Sequence, residues 1–139
     1  SIRQKGIAEM IVDASAILAI LLDEPEQPAL KYCLADAPEK HTMSPINYLE
    51  AAVRVDSLDT DRKARELDNL IAALDVEIVP TTAQQAHLAR EAYRNFGKGN
   101  HPARLNLGDC FAYALAKARG EPLLFKGDDF RKTDVEAAL

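Results

Sequence analysis

The candidate functional residues of this chain are acidic residues at well-separated positions. Asp13 follows the hydrophobic segment MIV, and in the stretch LLFKGDDFRKTD the pair Asp128 and Asp129 follows another hydrophobic segment. Glu50 and Asp109 lie between them, each within a segment of helical character. If folding gathers these carboxylates, two charges 4 Å apart cost on the order of 4 kcal/mol at an effective dielectric constant of 20. A divalent cation would convert that repulsion into binding, since Mg²⁺ and Mn²⁺ prefer carboxylate oxygens.

A carboxylate-held cation suits hydrolysis of a phosphodiester bond. Such a cation lowers the pKa of its bound water from roughly 15.7 toward neutrality, which makes hydroxide available as a nucleophile. A polyanionic substrate also needs positive charge beside the acids, because an acidic pocket alone would repel it. The candidate phosphate-binding residues lie before Asp109 and around the acidic pair: Lys98, His101, Arg104, Lys126 and Arg131.

Each acidic residue also has a purely structural interpretation. Asp13 could cap the helix that begins at Ala14, and Glu50 could pair with Arg54 on a helix surface. Asp109 suits the first turn of a helix, where a negative charge is favourable, and the acidic pair could form a turn. Ile46 and Val53 flank Glu50 at helical spacing, which predicts that Glu50 lies toward a buried face. Ser15 is expected to support the cation site or to cap the helix.

Strands and helices alternate along the chain. The pattern predicts buried strands at 10–12, 41–43, 76–79 and 122–126, with the loop GKGNHPARLN before the last helix. Predicted helices begin after Asp13, near 25 or 26, at Pro45 with Ser44 as its cap, at 59 or 60, at Thr82, and at 106 or 108. In the third helix the predicted apolar face is Ile46, Leu49, Ala52 and Val53, and in the fourth it is Leu67, Leu70, Ile71 and Leu74. This order favours an α/β sandwich around a short, mostly parallel sheet, whose ligands bind beyond the carboxyl ends of the strands.

Composition narrows the class of protein. The 139 residues are enough for one domain, and the net charge of -5 argues against nonspecific coating of DNA or of anionic membranes. Cys33 and Cys110 lie far apart and form no metal or redox motif, as expected for a reducing compartment such as the cytoplasm. The longest apolar run falls short of the roughly 18 residues that a membrane span needs. We interpret residues 1–9 as an upstream or artificial extension, with a natural start at Met10.

Four segments resemble the PIN-domain ribonucleases, and more closely the VapC toxins of bacterial toxin–antitoxin pairs. They are IVDASAILAILLDEPE, NYLEAAVRV, LNLGDCFAYALAKA and LLFKGDDFRKTD, and with GNHPARLNLGDC they cover about residues 10–135 in the order typical of the family. The resemblance implies a three-layer α/β/α PIN-like domain over residues 10–139. It also implies a Mg²⁺- or Mn²⁺-dependent endoribonuclease.

The same resemblance implies roles for particular residues. Asp13 and Asp109 match the metal-binding aspartates, and Glu50 matches the helix glutamate, a ligand or a base that orients water. Asp129 is a fourth member of the site, with Asp128 as its rival, because Gly127 stands where many PIN domains carry an acid. The basic residues named above become candidate RNA-binding residues.

The resemblance also implies partners. These are a cognate VapB-type antitoxin, contacted through the apolar surface of the early helices, an RNA substrate, and a second copy in a homodimer or a dimer of toxin–antitoxin heterodimers. Two other classes stay open. One is a catalytically weak PIN-like module that binds RNA or antitoxin, and the other is a phospho-acceptor receiver domain, which also gathers acids at strand ends. Against the receiver class, only Asp13 follows the first strand.

Overall fold

A computed structural model describes residues 9–37, 40–58 and 61–139 of the chain. Nearly all of the extension predicted at 1–9 lies outside these residues, and so does the fourth helix's predicted start at 59 or 60.

Among the described residues, four short parallel strands form the central sheet. They are β1 (Ile11–Val12), β2 (His41–Met43), β3 (Val76–Ile78) and β4 (Leu123–Leu124), and their spatial order is β3-β2-β1-β4. The register places Ile11 beside Thr42 on one side and beside Leu123 on the other. All four predicted strands are present, although three of them are shorter than expected. Because the pairs are all parallel, every strand ends at the same edge of the sheet.

In the described part of the chain, six α-helices cover the two faces of the sheet. They are α1 (Ala14–Leu21), α2 (Gln27–Asp36), α3 (Pro45–Asp56), α4 (Asp61–Ala73), α5 (Ala83–Phe96) and α6 (Leu107–Arg119). Side chains of α1 to α4 pack on one face around Val12 and Leu124, while those of α5 and α6 pack on the other around Ile11 and Leu123. This is the predicted three-layer α/β/α architecture. None of these helices, within the described part of the chain, has the length and apolar character of a membrane span.

Helix starts follow local capping chemistry. Ser44 Oγ accepts from the backbone N–H of Ile46, and Thr82 Oγ1 accepts from that of Gln85. Asn106 caps α6, and Gly120 ends it in the left-handed region at φ 63°. Each cap satisfies backbone groups that a helix end leaves unpaired, so these boundaries are encoded within a few residues.

The predicted buried face of α3 is wrong. Leu49 and Val53 are each 59% exposed, while Asn47, Ala51 and Val55 are buried. The small Ala51 and the β-branched Val55 let α3 pack closely against its neighbours in the core that contains α1 and α4. Both faces of α3 carry apolar residues, so periodicity alone could not decide between them. On α4 the prediction is confirmed, since Leu67 and Ile71 are buried.

After β4 the chain turns at Gly127, whose φ of 102° favours glycine. A 3₁₀ helix, η1 (Asp129–Lys132), follows at once. A turn is thus present just before the acidic pair, which follows β4 at the edge where the strands end.

Candidate active site

Asp13 stands at the carboxyl end of β1 and caps α1. Its Oδ2 accepts hydrogen bonds from the backbone N–H of Ser15 at 3.0 Å and from Ser15 Oγ at 2.6 Å. Its Oδ1 is buried and has no hydrogen-bond partner among the described residues. Burial raises the pKa of this carboxyl, against the lowering effect of the Ser15 hydrogen bonds. The structural and the functional interpretations are therefore compatible, because capping uses one oxygen and leaves the other.

Ser15 joins two strand ends. Its Oγ donates to Asp13 and accepts from the backbone N–H of Lys126 at 3.0 Å. This bond fixes the segment after β4 beside the start of α1, although the two residues are 111 positions apart. The expectation that Ser15 supports the site is consistent with this position.

Glu50 projects from α3 and is half-buried. Its Oε1 accepts from Asn47 Nδ2 at 3.0 Å, and the same nitrogen donates to the carbonyl oxygen of Gly108 at 2.9 Å. Burial raises the pKa of Glu50, and the charge of Asp13 raises it further. In the described part of the chain Glu50 and Arg54 form no ion pair, so the surface-pair interpretation is not supported.

Asp109 lies in the first turn of α6 and forms a capping box with Asn106. Asp109 Oδ2 accepts from the Asn106 backbone N–H at 3.0 Å, and Asn106 Oδ1 accepts from the Asp109 backbone N–H at 2.8 Å. Burial, with contributions from the charges of Asp13, Glu50 and Asp129, raises the pKa of Asp109 to about 7. The charges of three predicted acids therefore act on the fourth, Asp109. We refer to Asp13, Glu50, Asp109 and Asp129 as the acid cluster.

The two acids after Gly127 differ in their relation to this cluster. Both are exposed. The charge of Asp129 reaches Asp109, whereas Asp128 is not among the groups that shift the pKa of Asp109. Asp128 precedes η1 and makes no side-chain capping hydrogen bond there. Asp129 is thus the member of the pair whose charge raises the pKa of Asp109, and the site roles of both acids stay predictions.

The donors fit a hard divalent cation. All are carboxylate oxygens, and the unpartnered, buried Asp13 Oδ1 is an acceptor that a cation or a water molecule would satisfy. Within residues 9–37, 40–58 and 61–139, no group of three or more His, Cys, Asp or Glu side chains is placed so that it could hold a metal ion. Mg²⁺ usually binds through one or two carboxylates and keeps several waters, which this sparse donor set would suit.

Among the predicted RNA-binding residues, Lys98, His101 and Arg104 belong to the loop between α5 and α6. Lys98 and Arg104 are exposed, and Arg104 has φ 58°. His101 Nδ1 accepts from the backbone N–H of Ala103 at 2.9 Å, and its ring packs edge-on against Phe96. The loop is thus held by local contacts while its two cations face solvent.

The other two predicted RNA-binding residues have protein partners. Lys126 Nζ lies 2.9 Å from Glu24 Oε1 and 3.8 Å from Glu26 Oε1. Arg131 donates to the carbonyl oxygen of Leu139 at 2.8 Å and lies over a phenylalanine ring. Contact of either side chain with a phosphate would compete with these interactions, and the RNA-binding role of all five residues stays a prediction.

Comparison with known proteins identifies the family. The PIN domain family model matches residues 10–136. Ribonuclease VapC of Mycolicibacterium smegmatis is 51% identical over 128 residues, covering 92% of this chain and 98% of the relative. Ribonuclease VapC28 of Mycobacterium tuberculosis is 49% identical over 131 residues, covering 94% and 98%. The chain is a PIN-domain protein of the VapC ribonuclease family.

Solved structures agree with the PIN-domain fold. The crystal structure of Mycobacterium tuberculosis VapC20, described as a sarcin-ricin loop cleaving toxin, superposes with a TM-score of 0.74 at 17% identity, covering 91% of this chain and 96% of that one. VapBC2 from Rickettsia felis, bound to a promoter DNA fragment, gives 0.75 at 14% identity, covering 94% and 97%. Family membership replaces the receiver-domain alternative.

Two residues of this PIN domain that contact Glu50 were missed by the sequence interpretation. Asn47 is fully buried, and a Cβ atom at Gly108 would lie 2.0 Å from Glu50 Oε2. The available signals were an asparagine three residues before the helix glutamate and a glycine in the first turn of a helix. Neither is decisive alone, because the contact between them spans 61 residues of sequence.

Proposed function

We propose that this VapC-family protein is an endoribonuclease that hydrolyses RNA phosphodiester bonds with the help of Mg²⁺ or Mn²⁺ held by the acid cluster. The observation that carries the proposal is the electrostatic interaction of Asp13 after β1, Glu50 on α3 and Asp109 on α6, with one buried Asp13 oxygen left without a partner among the described residues. Relatives of about half-identical sequence are named as ribonucleases, which supports the reaction class.

Asp13 and Asp109 are the residues that would hold the cation. Ser15 occupies one oxygen of Asp13 and thereby orients the other, while the capping box holds the carboxylate of Asp109 at the start of α6. When bound there, the ion would supply a water of lowered pKa and positive charge for the phosphate oxygens. Asp129 is the fourth member, and its exposure suits contact through water.

Glu50 would orient the attacking water and accept its proton. Its carboxylate lies against the first turn of α6, near Asp109, and its raised pKa brings proton transfer closer to neutral pH. The amino end of α6 adds a partial positive charge, which favours anionic groups at this place. Lys98 and Arg104 are the exposed cations that could position the RNA backbone.

An antitoxin partner of the VapB type completes the proposal. One structural neighbour is a toxin–antitoxin complex from Klebsiella pneumoniae, and the Rickettsia felis neighbour is a VapBC pair. The early helices offer a groove of about 560 Å³ between α1, α2 and α4, with Ile20, Leu21 and Leu70 beside Lys31 and Lys63. Expression of the chain alone should arrest bacterial growth, and co-expression of the neighbouring open reading frame should relieve the arrest.

We also propose that the chain forms a homodimer, alone or within a dimer of toxin–antitoxin heterodimers. The exposed apolar side chains Leu49 and Val53 border a groove on α3 that a second copy could cover. Sedimentation of the wild type and of Leu49→Lys would test this, since a lysine there should shift the protein toward monomer.

Titration calorimetry with Mn²⁺ tests the enzyme proposal directly. Wild type should bind the ion and cut RNA, whereas Asp109→Asn should bind it at least roughly tenfold more weakly and lose cleavage. Asp36→Asn, which removes the same charge from the exposed end of α2, is the matched control. Equal Mn²⁺ affinity in Asp109→Asn would remove the ligand role. Folded Asp13→Asn and Asp109→Asn variants that cut as fast as wild type would instead favour the binding-module alternative for these residues.

A further inference from the structure

We infer that Asn47 and Gly108 are positioning residues for Glu50: the Asn47 amide ties the Glu50 carboxylate to α6, and the bare Cα of Gly108 makes room for it. The inference rests on the proposed function only in treating Glu50 as part of the active site. Its structural basis is independent of which ion or which RNA is bound.

The side-chain amide of Asn47 holds the Glu50 carboxylate, although its own oxygen accepts no hydrogen bond among the described residues. Its Nδ2 donates both of its hydrogen bonds, at 3.0 Å to Glu50 Oε1 and at 2.9 Å to the carbonyl oxygen of Gly108. Its Oδ1 is buried without a partner in the described residues, and the residue has no exposed surface. An unsatisfied buried polar atom costs about 1–3 kcal/mol, so the two hydrogen bonds of Nδ2 must offset a penalty at this position. Packing alone therefore does not explain the asparagine at this position, whereas its hydrogen bond to Glu50 does.

Gly108 has no backbone reason to be glycine. It lies inside α6, and it is not among the residues of positive φ. A glycine within a helix costs about 1 kcal/mol relative to alanine. A Cβ atom there would lie 2.0 Å from Oε2, 2.1 Å from Cδ and 2.4 Å from Oε1 of Glu50. The Glu50 carboxylate therefore occupies the space that a side chain at position 108 would fill.

Together the two residues dock Glu50 on the first turn of α6, one residue before Asp109. That turn carries backbone N–H groups that the helix itself does not use, and its partial positive charge favours an anion. Without this docking Glu50 would be free to swing toward solvent along α3, where its neighbours Leu49 and Val53 are exposed.

A double-mutant cycle on RNA cleavage tests the role of Gly108. Gly108→Ala should fold with a Tm at least equal to that of wild type, because alanine favours the helix and Glu50 is flexible enough to move away. Its kcat should fall roughly 10- to 100-fold with KM within about twofold, the scale of losing a group that orients a site residue. In a Glu50→Ala background the same substitution should cause no further loss. Leu107→Ala, one residue earlier and fully outside this contact, is the matched control and should behave as wild type. Wild-type kcat in Gly108→Ala, or losses that multiply in the double variant, would overturn the inference.

Carboxyl ¹³C NMR of metal-free protein supplies a readout that does not depend on activity. The Glu50 signal, assigned by its absence in Glu50→Gln, should shift in Gly108→Ala and in Asn47→Leu, which removes the amide at similar volume. It should stay in place in Leu107→Ala. An unmoved signal in both of the first two variants contradicts the inference. If wild type cuts no RNA, the proposed function fails, yet this experiment still decides whether the two residues position Glu50.

Discussion

Carboxylates lie close together at both ends of the parallel strands β1 and β4. Their negative charges are neutralised differently at the two ends. At the amino end, Glu9 and Glu121 each stand two residues before their strands, and their side chains share a hydrogen bond. Arg119 Nε lies 3.3 Å from Glu121 Oε1. Burial and then the Glu9 carboxyl raise the pKa of Glu121 to about 7. A proton and an arginine thus neutralise this pair from within the protein.

The acid cluster at the carboxyl end of the same strands is not neutralised in this way. In the described ranges no Lys or Arg side chain forms an ion pair with Asp13, Glu50, Asp109 or Asp129. Among the described residues, Asp13 Oδ1 is buried with neither a hydrogen bond nor a basic side chain beside it, whereas Glu121 Oε1, which is also buried without a hydrogen bond, has Arg119 Nε 3.3 Å away. The difference teaches that crowding alone does not mark a metal site. The feature that indicates a metal site is a group of carboxylates without a basic side chain beside them, because such a group is stabilised by a cation from solution.

The largest expected effect is on RNA cleavage. Asp13→Asn should lower the rate by roughly 100-fold or more, as loss of a group that stabilises developing charge does, because its free oxygen is the best-prepared acceptor for the ion. Glu121→Gln removes an equally crowded acid from the other end and should leave the rate within about twofold. Single-turnover cleavage of total RNA by the two purified variants measures both. A comparable loss in Glu121→Gln would mean that the two ends are not functionally distinct.

The second effect is on stability in the presence of metal. At a free Mn²⁺ concentration of 100 times Kd, binding to the folded state should stabilise wild type by about 2.7 kcal/mol. Glu121→Gln should keep this gain, since its own end of the sheet is already neutralised, and Asp109→Asn should lose most of it. Urea unfolding with and without Mn²⁺ gives the numbers. Full stabilisation of Asp109→Asn would place the ion elsewhere.

The carboxyl end of this comparison was partly accessible from the sequence, because strand ends and helix caps are encoded locally. The pair of Glu9 and Glu121 at the amino end was not predicted. The Ser44 cap with Pro45 after it and the turn at Gly127 were predicted from neighbouring residues and are present. The rule that parallel strands end at one edge predicted only that Asp13 and the acidic pair after β4 lie close together, and the placement of Asp109 beside them rested on its match to the family motif. The charge of Asp13 raises the pKa of Asp109, so these two carboxyl groups interact electrostatically.

The rest depended on contacts that no local pattern carries. Ala51 and Val55 are as apolar as Leu49 and Val53, so the buried face of α3 was decided by the helices packed on it. Glu50 is half-buried, as predicted, but the argument from Val53 was wrong because that side chain is exposed. Its burial comes instead from α6, through a contact that joins residues far apart in sequence.

The third expected effect is a dependence of stability on pH. Metal should change the part that comes from Asp109 and leave the part that comes from Glu121. The pKa of Asp109 rises from an ordinary 3.8 to about 7 on folding. Its stabilising effect is therefore fully present below pH 4 and is lost as pH rises through 7. In metal-free protein Asp109→Asn should reduce this loss, by on the order of 1 kcal/mol at pH 8 after solvent screening. Glu121→Gln should do the same, since the pKa of Glu121 is also raised to about 7.

Added Mn²⁺ separates these two contributions. It favours the charged form of Asp109, so the advantage of Asp109→Asn at pH 8 should disappear, while that of Glu121→Gln should remain. Urea midpoints at pH 5, 6, 7 and 8 with and without the ion provide the test. An unchanged advantage of Asp109→Asn in Mn²⁺ would show that the ion does not reach this carboxylate.

The smallest effect concerns the arginine that distinguishes the amino end. Arg119 is 39% exposed at its side chain, so Arg119→Gln should cost only about 0.5 kcal/mol of stability. Because Arg119 lowers the pKa of Glu121, its loss should move the Glu121 titration to higher pH. Lys117→Gln removes the same charge from the last turn of α6, but its partner is Asp134 at 3.0 Å, so it should leave the Glu121 titration in place. NMR titration of the Glu121 carboxyl in both variants measures the shift. If neither variant moves it, the arginine is not what neutralises this pair, and the shared proton alone sets the amino end apart from the acid cluster.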